Sequence, residues 1–174
     1  MIGQEEKEMA YRVAIITLSD SGYKGEREDV SGSVIAEIVE KEGYEVVRRE
    51  LIPDEEEMLA ALLTQICDGD EADLILTTGG TGFSKRDRTP EATKRVIERE
   101  TPGISEAMRY CSLQVTPRGM LSRGVSGIRK DALIVNLPGS PKAVRECLEY
   151  AIGALEHGLD ILKGNAYNCA VNHK

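Results

Sequence analysis

The chain has no tryptophan, a single phenylalanine, two histidines and four cysteines in 174 residues. Each scarcity removes a class of chemistry. Cys67, Cys111, Cys147 and Cys169 form no C-x-x-C pair, and with only His157 and His173 beside them a structural zinc site is not built. Cys67, Cys111 and Cys147 are expected to fill small apolar positions on helices. His157 falls in a polar helix position and His173 in the tail, so neither reads as a general base. No apolar run approaches the ~20 residues that cross a bilayer. The opening MIGQEEKEMAY is acidic and polar, unlike a secretory or transit leader, so a cytoplasmic location without membrane contact is expected. Nothing resembles an interdomain linker: one domain is expected over residues 12–163, with an N-terminal extension at 1–11 and a C-terminal tail at 164–174.

The net charge of −8 argues against nonspecific nucleic-acid binding, and its distribution is uneven. Residues 1–73 carry 20 acidic and 7 basic side chains, whereas residues 74–130 carry 5 acidic and 11 basic. An acidic protein with a basic middle suits an anionic small-molecule site; it also suits a salt-bridged surface.

Arg12–Leu18, RVAIITL, is apolar and β-branched enough for a central parallel strand buried on both faces, and it ends in Ser19-Asp20-Ser21-Gly22. A charged loop leads to a helix with Val34, Ile35, Ile38 and Val39 on one stripe, stopped by Gly43. Tyr44 to Ile52 reads as a second strand. Pro53-Asp54-Glu55 opens a helix that buries Leu59, Leu62, Leu63 and Ile66. A further helix is expected from Pro90 to about Glu100, broken by Thr101-Pro102-Gly103, then another carrying Ile104, Met108 and Leu113. Only Arg129, Lys130 and Asp131 separate Ile128 from the apolar strand Ala132–Leu137, too few for a parallel crossover. Ser122 to Ile128 should therefore run antiparallel. The last helix, Pro141 to Lys163, places Val144, Leu148, Ile152, Leu155, Leu159 and Leu162 on a stripe for core or subunit contact, and a mobile tail is expected from Asn165.

Strands alternating with helices specify a three-layer α/β/α fold, mostly parallel with one antiparallel strand. In such a sheet the parallel strands end on one edge, where ligands bind. Four polar loops should converge there: Ser19 to Gly22, Pro53-Asp54, Thr78 to Gly82, and Asn136 to Ser140. The last can receive a phosphate at the start of the final helix, although Ser140-Pro141 is equally an ordinary helix start.

The third loop carries the most chemistry. Leu74, Ile75, Leu76, Thr77 and Thr78 form a strand that runs into Gly79, Gly80, Thr81 and Gly82, glycines that let backbone amides approach a ligand. Lys85, Arg86 and Arg88 surround Asp87, and a helix starts at Thr89-Pro90-Glu91, where Thr89 can cap and Pro90 suits the first turn. A carboxylate among cations beside a glycine loop suits a metal-bound polyphosphate. The competing possibility is a surface turn whose charges pair with one another. Neither nucleotide pattern is met: the stretch from Gly79 to Lys85 does not supply the Gly-Lys-Ser/Thr of a P-loop after its four-residue spacer, and Lys85 stands at the third glycine position of G-x-G-x-x-G.

With TTGGTGFSKRDRTPEAT, MLSRGVSGIRK and NLPGSPKAV in this order and spacing, the chain resembles the MogA/MoaB family of molybdenum-cofactor biosynthesis proteins, which includes the G domains of gephyrin. The likeness runs from about Arg12 to Lys163 and includes Ser19-Asp20 and Leu51 to Glu55. It implies a trimer or hexamer, and transfer of AMP from Mg-ATP to the terminal phosphate of molybdopterin. By resemblance, the functional aspartates are Asp54 and Asp87, both also candidate Mg²⁺ ligands. Ser112 and Asn136 fall on the pterin side, Gly79, Gly80, Thr81, Gly82, Pro138 and Gly139 on the nucleotide side, with Ser19 a further binding position. A noncatalytic pterin-binding or assembly protein of the same family is the alternative. The residues themselves fit the transfer: a phosphomonoester is already an anionic nucleophile, so attack needs positioning and charge neutralisation more than a histidine.

Overall fold

The computed structural model describes residues 10–165. Residues 1–9 and 166–174, including most of the N-terminal extension and tail with Cys169 and His173, lie outside the described residues. The strands are β1 (Arg12–Leu18), β2 (Glu45–Ile52), β3 (Leu74–Thr78), β4 (Arg99–Glu100), β5 (Ser126–Arg129) and β6 (Ala132–Leu137). The helices are α1 (Asp20–Tyr23), α2 (Val30–Lys41), α3 (Glu56–Asp68), α4 (Thr89–Val96), α5 (Pro102–Val115) and α6 (Pro141–Leu162), with a 3₁₀ helix at Pro117–Leu121.

The sheet runs β2-β1-β3-β6-β5-β4. β2, β1, β3 and β6 pair in parallel, and β5 runs antiparallel to both β6 and β4. Side-chain alternation sorts each buried strand between two cores. Val13, Ile15, Leu74, Leu76, Leu133 and Val135 pack with α2, α5 and α6 on one face. Ala14, Ile16, Leu18, Ile75 and Ile134 meet α3 and α4 on the other. Three layers result, as the alternation of elements predicts. The chain leaves β1 for β2 on one side and returns to β3 on the other, so the strand order reverses between β1 and β3, and a crevice opens beyond their C-terminal ends.

Several details refine or depart from the sequence reading. The helix after the glycine loop stops at Val96 instead of about Glu100; Ile97 turns extended and Arg99–Glu100 becomes an edge strand. Pairing with β5 overrides helical propensity here, and Gly127 permits it, because a Cβ at that position would lie 2.8 Å from the Arg99 carbonyl oxygen. The antiparallel strand begins at Ser126, not Ser122, because the Asn136 side chain takes the Val125 N–H that would otherwise continue the ladder. Leu113 is 41% exposed and Cys111 only partly buried, whereas Cys67 and Cys147 are buried as expected. The stripe on α6 is core, one of the two roles expected of it: Val144, Leu148, Ile152, Leu155 and Leu159 are all buried within this chain, with Leu162 partly buried beside them. Leu62 on α3 is only partly buried against its core.

Candidate active site at the C-terminal edge of the sheet

The four loops meet. Ser19 caps α1, its hydroxyl accepting from Gly22 N–H at 3.0 Å, while its own N–H donates to Ile52 O and so ties the β1 and β2 ends together. Asp54 follows β2. Gly79 and Gly80 follow β3 with φ of 93° and 67°, a region that favours glycine. A Cβ would lie 2.3 Å from Leu18 O at Gly79, and 2.3 Å from Thr89 Oγ1 at Gly80. These residues are therefore glycine on both conformational and steric grounds. The Pro138-Gly139 turn stacks on the same loop: Thr78 Oγ1 donates to Pro138 O at 2.6 Å, and Ser31 Oγ donates to Gly139 O at 2.8 Å.

Two cavities flank that turn. A cleft of about 510 Å³ is lined by Ser19, Asp20, Asp54, Gly79, Gly80 and Gly139. The first residues of α2 and α6, Val30 and Pro141, also line it, so two helix N-termini face it with their partial positive charge. A smaller cavity of about 230 Å³ lies on the other side, lined by Ser112, Asn136 and Pro138 together with Arg109 and Arg118. Ser140 lines both. Thr81, Gly82 and Asp87 line neither. Thr81 is buried, its carbonyl accepting from Arg123 N–H at 3.0 Å.

Asn136 is 2% exposed and its amide is committed: Nδ2 donates to Thr77 Oγ1 and Thr93 Oγ1, both at 2.9 Å, and Oδ1 accepts from Val125 N–H at 3.2 Å. It joins β3, α4 and the segment before β5 at the floor between the cavities. Ser112 is freer, its hydroxyl lying 3.3 Å from Cys147 Sγ.

The charges do not surround Asp87 as the sequence suggests. Arg86 pairs with Asp20 (2.8 Å) and Glu55 (2.9 Å), and Arg88 pairs with Glu56 (2.8 Å). Among the described residues Asp87 has no ion pair; its Oδ2 accepts from Ser84 N–H at 2.9 Å. The expectation that these charges neutralise one another in a surface turn thus fails at its central residue. Thr89 does not cap α4 either. Arg88 holds the cap position without a side-chain bond, and the Thr89 hydroxyl donates to Gly79 O at 2.9 Å, latching the glycine loop.

Burial, first, pushes the Asp54 carboxyl above the usual carboxylate range. The Asp20 N–H opposes this, whereas the charges of Asp20 and Asp87 add to it. Asp20 is held low, chiefly by Arg86 and then by the Asp54 N–H. Among the described residues, no three His, Cys, Asp or Glu side chains are grouped to hold a metal ion unaided. A hard cation here would therefore share Asp54 or Asp87 with oxygens from a bound phosphate, as Mg²⁺ commonly does.

Sequence reasoning gave no role to three residues, although Asp20 lies in the first of the four loops and Arg123 in the motif MLSRGVSGIRK. Asp20 sits at the centre of the Arg86–Asp54 network. Asp29 caps α2 through Gly32 N–H at 2.8 Å and holds Thr17. Arg123 grips the glycine loop from the far side. The Asp29-x-x-Gly32 capping pattern was available locally; the reach of Arg123 across 41 residues was not.

The sequence matches the family described as "Probable molybdopterin binding domain" over residues 14–157. It is 41% identical over 155 residues to a molybdopterin adenylyltransferase of Helicobacter pylori J99, covering 88% of each chain. It is 42% identical over 141 residues to that of Escherichia coli K12, covering 79% of this chain and 72% of the relative. The crystal structure of the molybdopterin biosynthesis enzyme MoaB from Thermus thermophilus superposes with a TM-score of 0.83 at 47% identity, over 91% of this chain and 99% of that one.

Proposed function

Because the chain belongs to the molybdopterin-binding family of molybdenum-cofactor biosynthesis proteins, we propose that it is a nucleotidyltransferase that adenylylates molybdopterin with ATP. The observation that carries the proposal is the pairing of two cavities across Pro138–Ser140, one walled by glycine-loop backbone and two helix N-termini, the other by Ser112, Arg109 and Arg118. The first suits a polyphosphate, the second a flat polar heterocycle with an anionic tail. A substrate in each brings its phosphate to the shared turn.

In the transfer, an oxygen of the terminal phosphomonoester of the pterin attacks the α-phosphorus of ATP. A new P–O bond forms to that oxygen, the bond from the α-phosphorus to the bridging oxygen breaks, and pyrophosphate leaves with the electron pair. The glycine-loop amides and the α2 and α6 N-termini are placed to receive phosphate oxygens, and exposed Lys85, which has no ion pair among the described residues, is available to developing charge. No histidine or thiol is required, since the nucleophile arrives ionised.

Mg²⁺ fits the donor set: a half-buried Asp54 whose carboxyl is raised further by Asp20 and Asp87 is a site that a divalent cation relieves. Asp54 and Asp87 would hold it, and it would neutralise phosphate charge when bound. The reading extends to a cytoplasmic protein assembled as a trimer or a dimer of trimers. No helix among the described residues is long and apolar enough to cross a membrane. Exposed Tyr110, Leu113, Val115, Met120 and Leu121, on the end of α5 and the 3₁₀ helix, supply an apolar surface for subunit contact.

Incubation with molybdopterin and Mg-ATP, followed by detection of adenylylated pterin and pyrophosphate, tests the proposal. Tight pterin binding with no adenylylated product from well-folded protein would assign the chain to the noncatalytic members instead.

A further inference from the structure

Arg123 lies between the 3₁₀ helix and β5, outside both cavities, and its side chain is 33% exposed. Its Nε donates to Gly82 O at 2.8 Å and its Nη2 to Asp87 O at 2.5 Å, so one planar fork holds both ends of the Gly82–Asp87 loop. Nη1 donates to Glu91 in the first turn of α4, and the other oxygen of Glu91 is buried without a hydrogen-bond partner. Inside the loop, Asp87 N–H donates to Ser84 O at 3.0 Å, and Ser84 N–H donates to Asp87 Oδ2 at 2.9 Å. Gly82 completes the seat, because a Cβ there would lie 2.8 Å from Asp87 Oδ2. On the other side, Ser122 and Gly124, the neighbours of Arg123 in the chain, line the smaller cavity.

We propose that Arg123 is a positioning residue: its guanidinium staples the loop that carries Asp87 to the wall of the pterin-side cavity, fixing where the Asp87 carboxylate stands relative to both substrates. The inference rests on the adenylylation reading above. It requires arginine, since two carbonyls and a carboxylate are met by a rigid fork of donors and not by an ammonium point charge. Glu91 is the fork's anchor: one oxygen accepts from Arg123, the other has no hydrogen-bond partner, and the second cation near it, Arg88, stands 3.8 Å away, so the guanidinium of Arg123 is the carboxylate's close partner.

The test combines turnover with amide hydrogen exchange in the ligand-free protein. Arg123→Lys keeps the charge and removes the fork, and Glu91→Gln weakens the anchor. The expected result for Arg123→Lys is a kcat lower by about 100-fold, the scale of a 1 Å misplacement, with KM for the pterin within about twofold of the parent. Exchange at the Ser84 and Asp87 amides should quicken by about tenfold in both variants while the melting temperature is retained. Added guanidinium should restore part of the lost turnover in Arg123→Ala. Unchanged exchange at those two amides in Arg123→Lys overturns the proposal whatever happens to turnover, and faster exchange with unchanged kcat overturns it as well. So does a turnover loss matched by an equal loss of pterin affinity and thermal stability. Should the parent protein transfer no adenylyl group, the functional reading falls, and the exchange measurement alone decides whether Arg123 orders the loop. Should Arg123→Ala not fold, Arg123→Lys and Glu91→Gln carry the decision.

Discussion

Asp20 and Asp54 hold each other through reciprocal backbone contacts: Asp20 N–H donates to Asp54 Oδ2 and Asp54 N–H donates to Asp20 Oδ1, each at 3.0 Å. Two carboxylates are thereby brought together at the ends of neighbouring parallel strands, where only one of them, Asp20, has an arginine. The other is left half-buried and ionisable in the wall of the cleft.

That asymmetry predicts an unusual response to Asp54→Asn. Burial and the nearby charges raise the folded-state pKa of Asp54 above its ordinary 3.8, so its ionisation opposes folding. The penalty is absent below the unfolded pKa and complete above the folded one. At pH 7 the ligand-free variant should melt no lower than the parent, with any gain disappearing as the pH falls to the unfolded pKa, while transfer falls by about 100-fold or more. A melting temperature well below the parent at pH 7 would show that Asp54 is structural.

Asp87→Asn keeps an oxygen to accept the Ser84 N–H and removes only the charge. Turnover should fall by about 100-fold, or ~3 kcal/mol of transition-state stabilisation, with thermal stability unchanged and pterin affinity unaltered. Rates measured across a Mg²⁺ titration decide the point: near-normal turnover at limiting Mg²⁺ removes Asp87 from the chemistry.

The cations beside Asp87 should not be equivalent. Arg86 is engaged by Asp20 and Glu55 and Arg88 by Glu56, which leaves Lys85 to meet a phosphate. Lys85→Ala should raise KM for ATP by about tenfold, the scale of one charge-assisted contact, with little change in stability. Arg88→Ala should change KM least. Equal losses of ATP affinity in all three alanine variants would contradict this division.

On the opposite edge of the sheet, Asp73 is bound by Arg12 at 2.9 Å and Lys163 at 2.6 Å. Burial alone would raise its carboxyl, but these partners hold it at about 2, below its ordinary 3.8. A depressed pKa contributes stability above the unfolded value that is lost as the pH falls through the folded one. Asp73→Asn should therefore cost about 2 kcal/mol at pH 7, and the gap to the parent should close between pH ~4 and ~2. Urea unfolding at pH 7 and pH 2.5 measures it; a gap independent of pH would point to lost packing instead.

Light scattering across micromolar concentrations should find a trimer or hexamer. Met120→Glu, which charges an exposed apolar patch at a residue 62% accessible in the single chain, should shift the assembly toward monomer. A parent protein monomeric throughout would remove the subunit-contact role from that patch.

Periodicity and local chemistry carried most of the architecture. RVAIITL and ALIVNL are legible as buried parallel strands because both faces must be apolar, and the short gap between Ile128 and Ala132 is legible as an antiparallel connection because no crossover fits it. Gly79 and Gly80 could be read as backbone-approach positions, and their positive φ agrees. Convergence of the four loops follows from the strands' shared direction. Other features had no local signal. Helix α4 stops at Val96 because a strand from elsewhere offers Arg99 a partner, and pairing across a sheet is not written in the propensities of the pairing residues. The partners of Arg86, Arg88 and Arg123 were likewise undetermined, since a long charged side chain can meet whichever carboxylate the fold brings near, and here these lie 31 to 66 residues away. By itself, then, the sequence determined the layers, the sheet edge where the four loops meet and the residue types found there, because those depend on period and strand direction. Only the tertiary structure decided which carboxylate is paired, which stands free and which arginine holds the loop, because these are contacts between segments whose distance along the chain carries no information about their distance in space.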